Sequence, residues 1–190
     1  AGSLFRPLGF FDTRNIAGIV PLTRGMDGVL SNYFFDETTL VEGWAVPAKK
    51  DDKVFVGLRA ERLIAGWETG LVFQYHPPTD QFDLPNFNLD LTQVGFHVKG
   101  EHVAGFWNES RLDIEQKAGE RPLKFDSVLG TDYTFALGAG LHVVGEYFVS
   151  VREKEFTWID SLNQRTIHQL GFLLDQPVGI ALTWRLFGFY

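Results

Sequence analysis

Arg59, Glu61, Glu68, Gln74, His97, Lys99, Asp126, Asp132, His142, Glu146, Arg152 and Arg185 are the candidates to line an enclosed aqueous interior, where their charges would act electrostatically rather than catalytically. Each falls on the less hydrophobic side of a stretch that alternates residue by residue, so the group shares one face of a set of ribbons. Arg59 and Arg185 against Asp126, Asp132 and Glu146 could set a transverse field across an aqueous passage and tune ion preference. The same charges could equally form a structural ion-pair network that fills an interior. No cluster of one sign dominates, so the sequence does not give a selectivity.

Catalytic and metal patterns are weak. Ser150 and His142 share a face of one strand but stand eight residues apart, about 26 Å at strand rise, which is too far for a dyad. Asp132 could meet His142 or Glu146 across strands, depending on register. No G-x-S-x-G, H-E-x-x-H or phosphate-binding glycine loop occurs. Asp80, Asp83, Asn86, Asn88 and Asp90 offer oxygen ligands of the kind calcium accepts, without the spacing of a calcium loop, and read as a solvated acidic loop. His76, His97, His102, His142 and His168 lack metal-ligand spacing, although His97 and His102 flank one tight turn. The reading is therefore of a non-enzyme with no cofactor and no metal.

The elements that position these residues are strands. In "KFDSVLGTDYTFALGAGLHVVGEYFVSVR" the set Phe125, Ser127, Leu129, Thr131, Tyr133, Phe135, Leu137 alternates with Asp126, Val128, Gly130, Asp132, Thr134, Ala136. After Gly138-Ala139-Gly140 the alternation resumes from Leu141 to Arg152, which predicts a hairpin. About ten strands are expected: 28–35, 39–46, 54–62, 67–75, 92–100, 103–114, 125–137, 141–152, 166–174 and 178–190. The faces of 28–35, 39–46 and 103–114 are unclear. "NFNLDL" has apolar parity opposite to Val94, Phe96 and Val98, which suggests a bulge or a loop. Short and long connections alternate along the chain, as in an up-and-down meander with tight turns on one rim and extended loops on the other.

Composition narrows the class. The 190 residues carry a net charge of −7 with no Lys/Arg cluster, so nucleic acid is not an expected partner. Hydrophobic residues make up 45%, excluding a disordered chain, and the absence of cysteine excludes disulfide frameworks. No apolar run reaches the roughly 18 residues of a membrane helix. The polar faces mix charges with Gly57, Gly70, Val72, Val128, Gly130, Ala136, Val144 and Phe148, which suits a confined wet lining better than an open solvated face. Trp67, Tyr75 and Tyr190 stand near strand ends, as in aromatic girdles at the headgroup level.

"LGTDYTFALGAGLHVVGEYFVSV" resembles a strand pair of bacterial outer-membrane porin-like barrels, and "FRPLGFFDTRN…RGMDGVLSNYFF" is similar to a stretch of large barrels in the same group. The resemblance covers the first thirty-five residues or so and the region from Lys124 onward. It implies an outer-membrane location and a passive or substrate-selective pore, with no catalytic residues to carry over.

The expected fold is thus all-β: an antiparallel up-and-down transmembrane β-barrel. Residues 1–27 would form a loop or inward-folding segment and residues 28–190 a meander. Membrane lipid is the expected partner of the apolar face, and a small hydrophilic solute that of the interior. A plugged binding or assembly barrel and a soluble ligand-binding β-barrel remain as alternatives. With short turns on the periplasmic side both ends of the meander fall outside, which predicts at least one further strand at each end and a parent barrel of about 12 strands or more. The alternative is a complete ten-stranded barrel with the loop sides exchanged. Either a removed signal peptide or a longer parent would account for "AGSLFRPLGFF" at the start.

Overall fold

A computed structural model describes residues 28–47, 52–78, 90–116, 120–154, 166–178 and 182–190. Alternating sequence becomes strand throughout: β1 Val29–Asp36, β2 Thr39–Pro47, β3 Val54–Ile64, β4 Trp67–His76, β5 Asp90–Glu101, β6 Gly105–Gln116, β7 Leu123–Phe135, β8 Leu141–Arg152, β9 Thr166–Val178 and β10 Leu182–Phe189. Each pairs antiparallel with its neighbour in sequence, giving one ten-stranded sheet in the order β1 to β10. Among the described residues β1 and β10 have one partner strand each, and the eight residues of β1 are exposed on both faces.

Connections sort by rim as expected. One rim carries the turns at 37–38, 65–66, 102–104 and 136–140, while the strand ends at Pro47, Val54, His76, Asp90, Gln116, Leu123, Arg152 and Thr166 lie on the other. The tight turns have local causes. Asp36 Oδ1 accepts hydrogen bonds from Thr38 N and Thr38 Oγ1, each at 2.7 Å, closing the first hairpin. Ala65 (φ 51°) and Gly66 (φ 83°) both take left-handed backbone between paired Ile64 and Trp67, the arrangement that matches strand twist in a two-residue hairpin. The β7–β8 connection is stitched by Leu137 N to Phe135 O (2.8 Å) and Gly140 N to Leu137 O (3.0 Å).

Several boundaries differ from the sequence reading. Asp175 to Val178 belongs to β9, paired with Arg185 to Leu182. Pro177 misled the assignment: it lies past Asp175, the last β9 residue paired with β8, so its missing N–H interrupts no ladder on that side. Leu137 falls in the turn and β7 ends at Phe135, while β6 begins at Gly105. The parity break before Thr92 needs no bulge within the described residues: pairing runs unbroken from His76–Leu91 to Trp67–Gly100, and Leu91 turns to the buried face. Residues 86–89, and the segment 1–27, lie outside the described residues.

The two faces of the sheet are unlike in a direction opposite to that of a water-soluble sheet. Exposed positions carry Val56 and Leu58 on β3, Leu71 and Phe73 on β4, Val94 and Phe96 on β5, Phe125, Leu129 and Tyr133 on β7, and Leu170 and Phe172 on β9. Leu71 is 61% and Leu129 60% exposed. Asp113 (0%), Asp126, Glu146 (3%), Gln74, Gln93 and His97 are buried on the other face, among Val72, Leu91, Val128 and Val144. From β2 to β9 the exposed face carries a full charge only near strand ends, at Arg62 and Asp90.

Aromatic rings pack over glycines on neighbouring strands. A Cβ on Gly130 would lie 2.1 Å from Trp107 Cε2, and one on Gly57 2.1 Å from Trp44 Cε2. These rings lie flat on the buried face because no side chain stands beneath them, recovering packing that a strand glycine otherwise forfeits. Gly130→Ala should therefore cost about 1–3 kcal/mol by overpacking. Gly145→Ala, where a Cβ meets nothing within 4 Å, should be nearly neutral. Equilibrium urea unfolding followed by tryptophan fluorescence measures both; equal effects would contradict the ring-over-glycine packing.

Candidate functional site

The register assembles the charged face in rows. One row runs Glu42, Arg59, Val72, Gly95, Arg111, Asp126, Ser150; the next runs Trp44, Gly57, Gln74, Gln93, Asp113, Lys124, Arg152. Between these rows lies the most connected cluster. Arg111 Nε is 2.9 Å from Asp113 Oδ1, and its Nη2 donates to Asp126 Oδ2 at 2.9 Å. Lys124 Nζ lies 3.0 Å from the same Asp126 oxygen. Gln93 Nε2 donates to Asp113 Oδ1 at 2.9 Å, and Gln74 extends the string toward Gln93 and His76. Two carboxylates with almost no exposure are thus held by two cations and an amide. This is the pairing that buried charge requires.

A second cluster lies nearer the tight turns. Glu61, Gly70 and His97 stand opposite one another on β3, β4 and β5, and Glu68 precedes Gly70 by two residues on the same face. Arg59 Nη2 pairs with Glu61 Oε1, and His97 Nε2 is 3.1 Å from that oxygen and 3.5 Å from Glu68 Oε1. Farther along, Trp107 Nε1 donates to Glu146 Oε1 at 2.9 Å. His142 Nε2 lies 3.7 Å from Asp132 Oδ2, and its Nδ1 is 3.0 Å from Thr134 Oγ1. Arg185 Nε is 3.3 Å from Asp175 Oδ1.

All the residues proposed from sequence share the face that carries the buried charges, by register. Gln74, His97, Asp126 and Glu146 are buried; Arg59, Glu61, Asp132, His142 and Arg152 are half-buried; Glu68 and Lys99 are exposed near strand ends, and Arg185 is exposed in the middle of β10. Arg59 pairs with Glu61 and Arg185 with Asp175, so their charges are met locally rather than by Asp126, Asp132 or Glu146. Of the possible cross-strand contacts of Asp132, the one to His142 forms. Its 3.7 Å separation is electrostatic contact rather than a hydrogen bond, and Thr134 rather than a serine adjoins the ring. His102 falls in the β5–β6 turn, while the carboxylates near His97 come from β3 and β4.

Sequence reasoning missed Arg111, Asp113, Lys124, Gln93 and Asp175. For Arg111 and Asp113 the signal was parity on β6, obscured because Asn108 and Ser110 occupy the exposed face and Trp107 the buried one. The register explains the inversion. Asn108 Nδ2 donates to Ser127 Oγ (3.2 Å) and Val128 O (2.8 Å), and Ser110 Oγ donates to Asn108 Oδ1 (3.1 Å). These polar groups satisfy one another within an apolar surface.

No protein-family model, curated protein or solved structure matches the chain. The resemblance to porin-like barrels therefore rests on its strand motifs alone.

Arg111→Met would leave Asp113 and Asp126 buried with half of their compensation gone, at an expected cost of about 3–5 kcal/mol. Adding Asp113→Asn and Asp126→Asn should restore a large part of it. Urea unfolding of the single and triple variants checks both steps; a triple variant no more stable than the single one would contradict the pairing.

Proposed function

We propose that this chain is an outer-membrane β-barrel protein whose apolar face meets lipid and whose charged face lines a narrow pore for small hydrophilic solutes. The observation that carries the reading is the inverted sheet: hydrocarbon exposed across β3–β9, charge buried. In water, a continuous exposed surface of Val, Leu and Phe would exceed what soluble proteins carry and would drive association. In a bilayer the same surface is solvated by acyl chains, and the charges avoid a cost of about 2–4 kcal/mol for each Arg or Lys at midplane.

Dimensions support this reading. β5 to β9 contain 12 or 13 residues each. At strand rise these are about 40 Å long, and tilted as barrel strands are they cover the roughly 30 Å hydrocarbon thickness. Exposed rings gather toward the tight-turn rim: Phe35 follows Tyr33 at the end of β1, Trp67 opens β4, Phe106 opens β6, and Tyr133 and Phe135 close β7. Tyr33–Phe35 and Tyr133–Phe135 make edge-to-face pairs at 4.7 Å. Such rings suit the headgroup level. The reading requires the free edges of β1 and β10 to be paired, with each other or with further strands, because unpaired backbone in hydrocarbon costs several kcal/mol per group.

A second reading, a barrel with a filled interior that anchors a binding or assembly surface, has its own support. Leu91, Asp113, Val128 and Val144 have no exposure at all, as in interiors packed by side chains.

Two measurements test these readings. Leu129→Arg should destabilise the protein folded into lipid vesicles by about 2–4 kcal/mol. A water-facing position would change stability by no more than about 0.5 kcal/mol. Full-length protein inserted in a planar bilayer should give discrete conductance steps of low amplitude. Stable insertion without conductance would replace the pore with the filled barrel.

A further inference from the structure

We propose that Glu61, Glu68 and His97 form a binding site for a divalent transition-metal ion of the zinc class, on the charged face near the tight-turn rim. One ligand atom from each of the three residues lies within 4.8 Å of the others. His97 Nε2 is 3.1 Å from Glu61 Oε1 and 3.5 Å from Glu68 Oε1. Donors bound tetrahedrally at about 2.1 Å stand about 3.4 Å apart, so these separations are those of neighbouring ligands around one small ion.

The second observation is the imidazole itself. His97 is 6% exposed, and its Nε2 is a buried nitrogen that makes no hydrogen bond, although two carboxylate oxygens lie close by. The nitrogen lies within 3.5 Å of an oxygen from each of the two carboxylates. A cation placed there would take the imidazole lone pair and both carboxylates together. Gly70 makes the arrangement possible: a Cβ at this position would fall 2.2 Å from His97 Cε1, so the ring lies over bare backbone between the two carboxylates. Glu68 is half exposed, which leaves a path of entry.

The donor set selects the class of ion. One imidazole nitrogen and two carboxylates suit zinc, cobalt, manganese or iron, whereas calcium and magnesium favour oxygen alone. Arg59 shares Glu61 Oε1 and Lys99 stands across from Glu68, so binding brings a third cation to this corner and weakens the Arg59 pair. The site follows from register on the charged face and holds whether that face lines a pore or a filled interior.

Titration of tag-free full-length protein in detergent micelles with Zn²⁺, using competition with a chromophoric chelator, tests the proposal. One equivalent is expected, with affinity falling more than about tenfold in His97→Asn and in Glu68→Gln. Gly70→Ala, which alters no ligand, should lose about 10- to 100-fold by displacing the ring, while His142→Asn should bind as the unmodified protein does. Co²⁺ added to the unmodified protein should give the visible bands of a low-symmetry nitrogen–oxygen site, a readout that needs no variant to fold. Absence of saturable binding and of those bands, or Zn²⁺ affinity unchanged in both His97→Asn and Gly70→Ala, would overturn it.

Discussion

Buried charge is the constraint from which the rest of this sheet follows. Once Asp113, Asp126 and Glu146 leave bulk water, each must find a cation or a strong donor, and the partners must come from adjacent strands at matching height. Arg111 bridging β6 and β7, Lys124 beside Asp126, and Trp107 reaching from β6 to Glu146 on β8 meet that demand. A slip of one residue would send every member of these groups to the hydrocarbon face. The ion pairs therefore act mainly as register locks. Their net contribution to stability is small compared with the penalty for breaking one.

Packing and electrostatics are coupled through the glycines. Trp107 covers Gly130, Trp44 covers Gly57 and His97 covers Gly70, each a large ring facing a residue without a side chain on the adjoining strand. Two of these rings also carry the polar atom that meets a carboxylate: Trp107 Nε1 donates to Glu146, and His97 Nε2 lies between Glu61 and Glu68. Among the described residues, alternating large and absent side chains pack the charged face without a second layer of secondary structure. The same device aims the rings, because a ring pressed flat on backbone has little freedom to turn.

Strand identity and face were legible in sequence wherever alternation was clean, as on β3, β4, β7 and β8. Alternation fixes which residues share a face within a strand and leaves open which residues meet across strands. That is why the candidate charges share the buried-charge face while their partners are known only from the register: Arg59 finds Glu61 two residues away, and Arg185 finds Asp175 across the last hairpin. β6 was opaque because its serine and asparagine satisfy each other on the apolar side, reversing the usual sign of polarity. Glu61, Glu68 and His97 were each legible as members of the charged face, but their grouping was not. Its members come from three strands, and only the register through Gly70 brings them together.

The most direct test of which solvent each face meets uses the absence of native cysteine. Single cysteines at Leu71, Phe96, Leu129 and Tyr147, and separately at Val72, Val128 and Ser150, would be labelled with a polarity-sensitive fluorophore in protein folded into vesicles. Quenchers attached to acyl chains should extinguish the first set, and the second set should be shielded from them. Labels of the first set quenched from water and untouched by the lipid-borne quencher would contradict the assignment of the apolar face to the membrane.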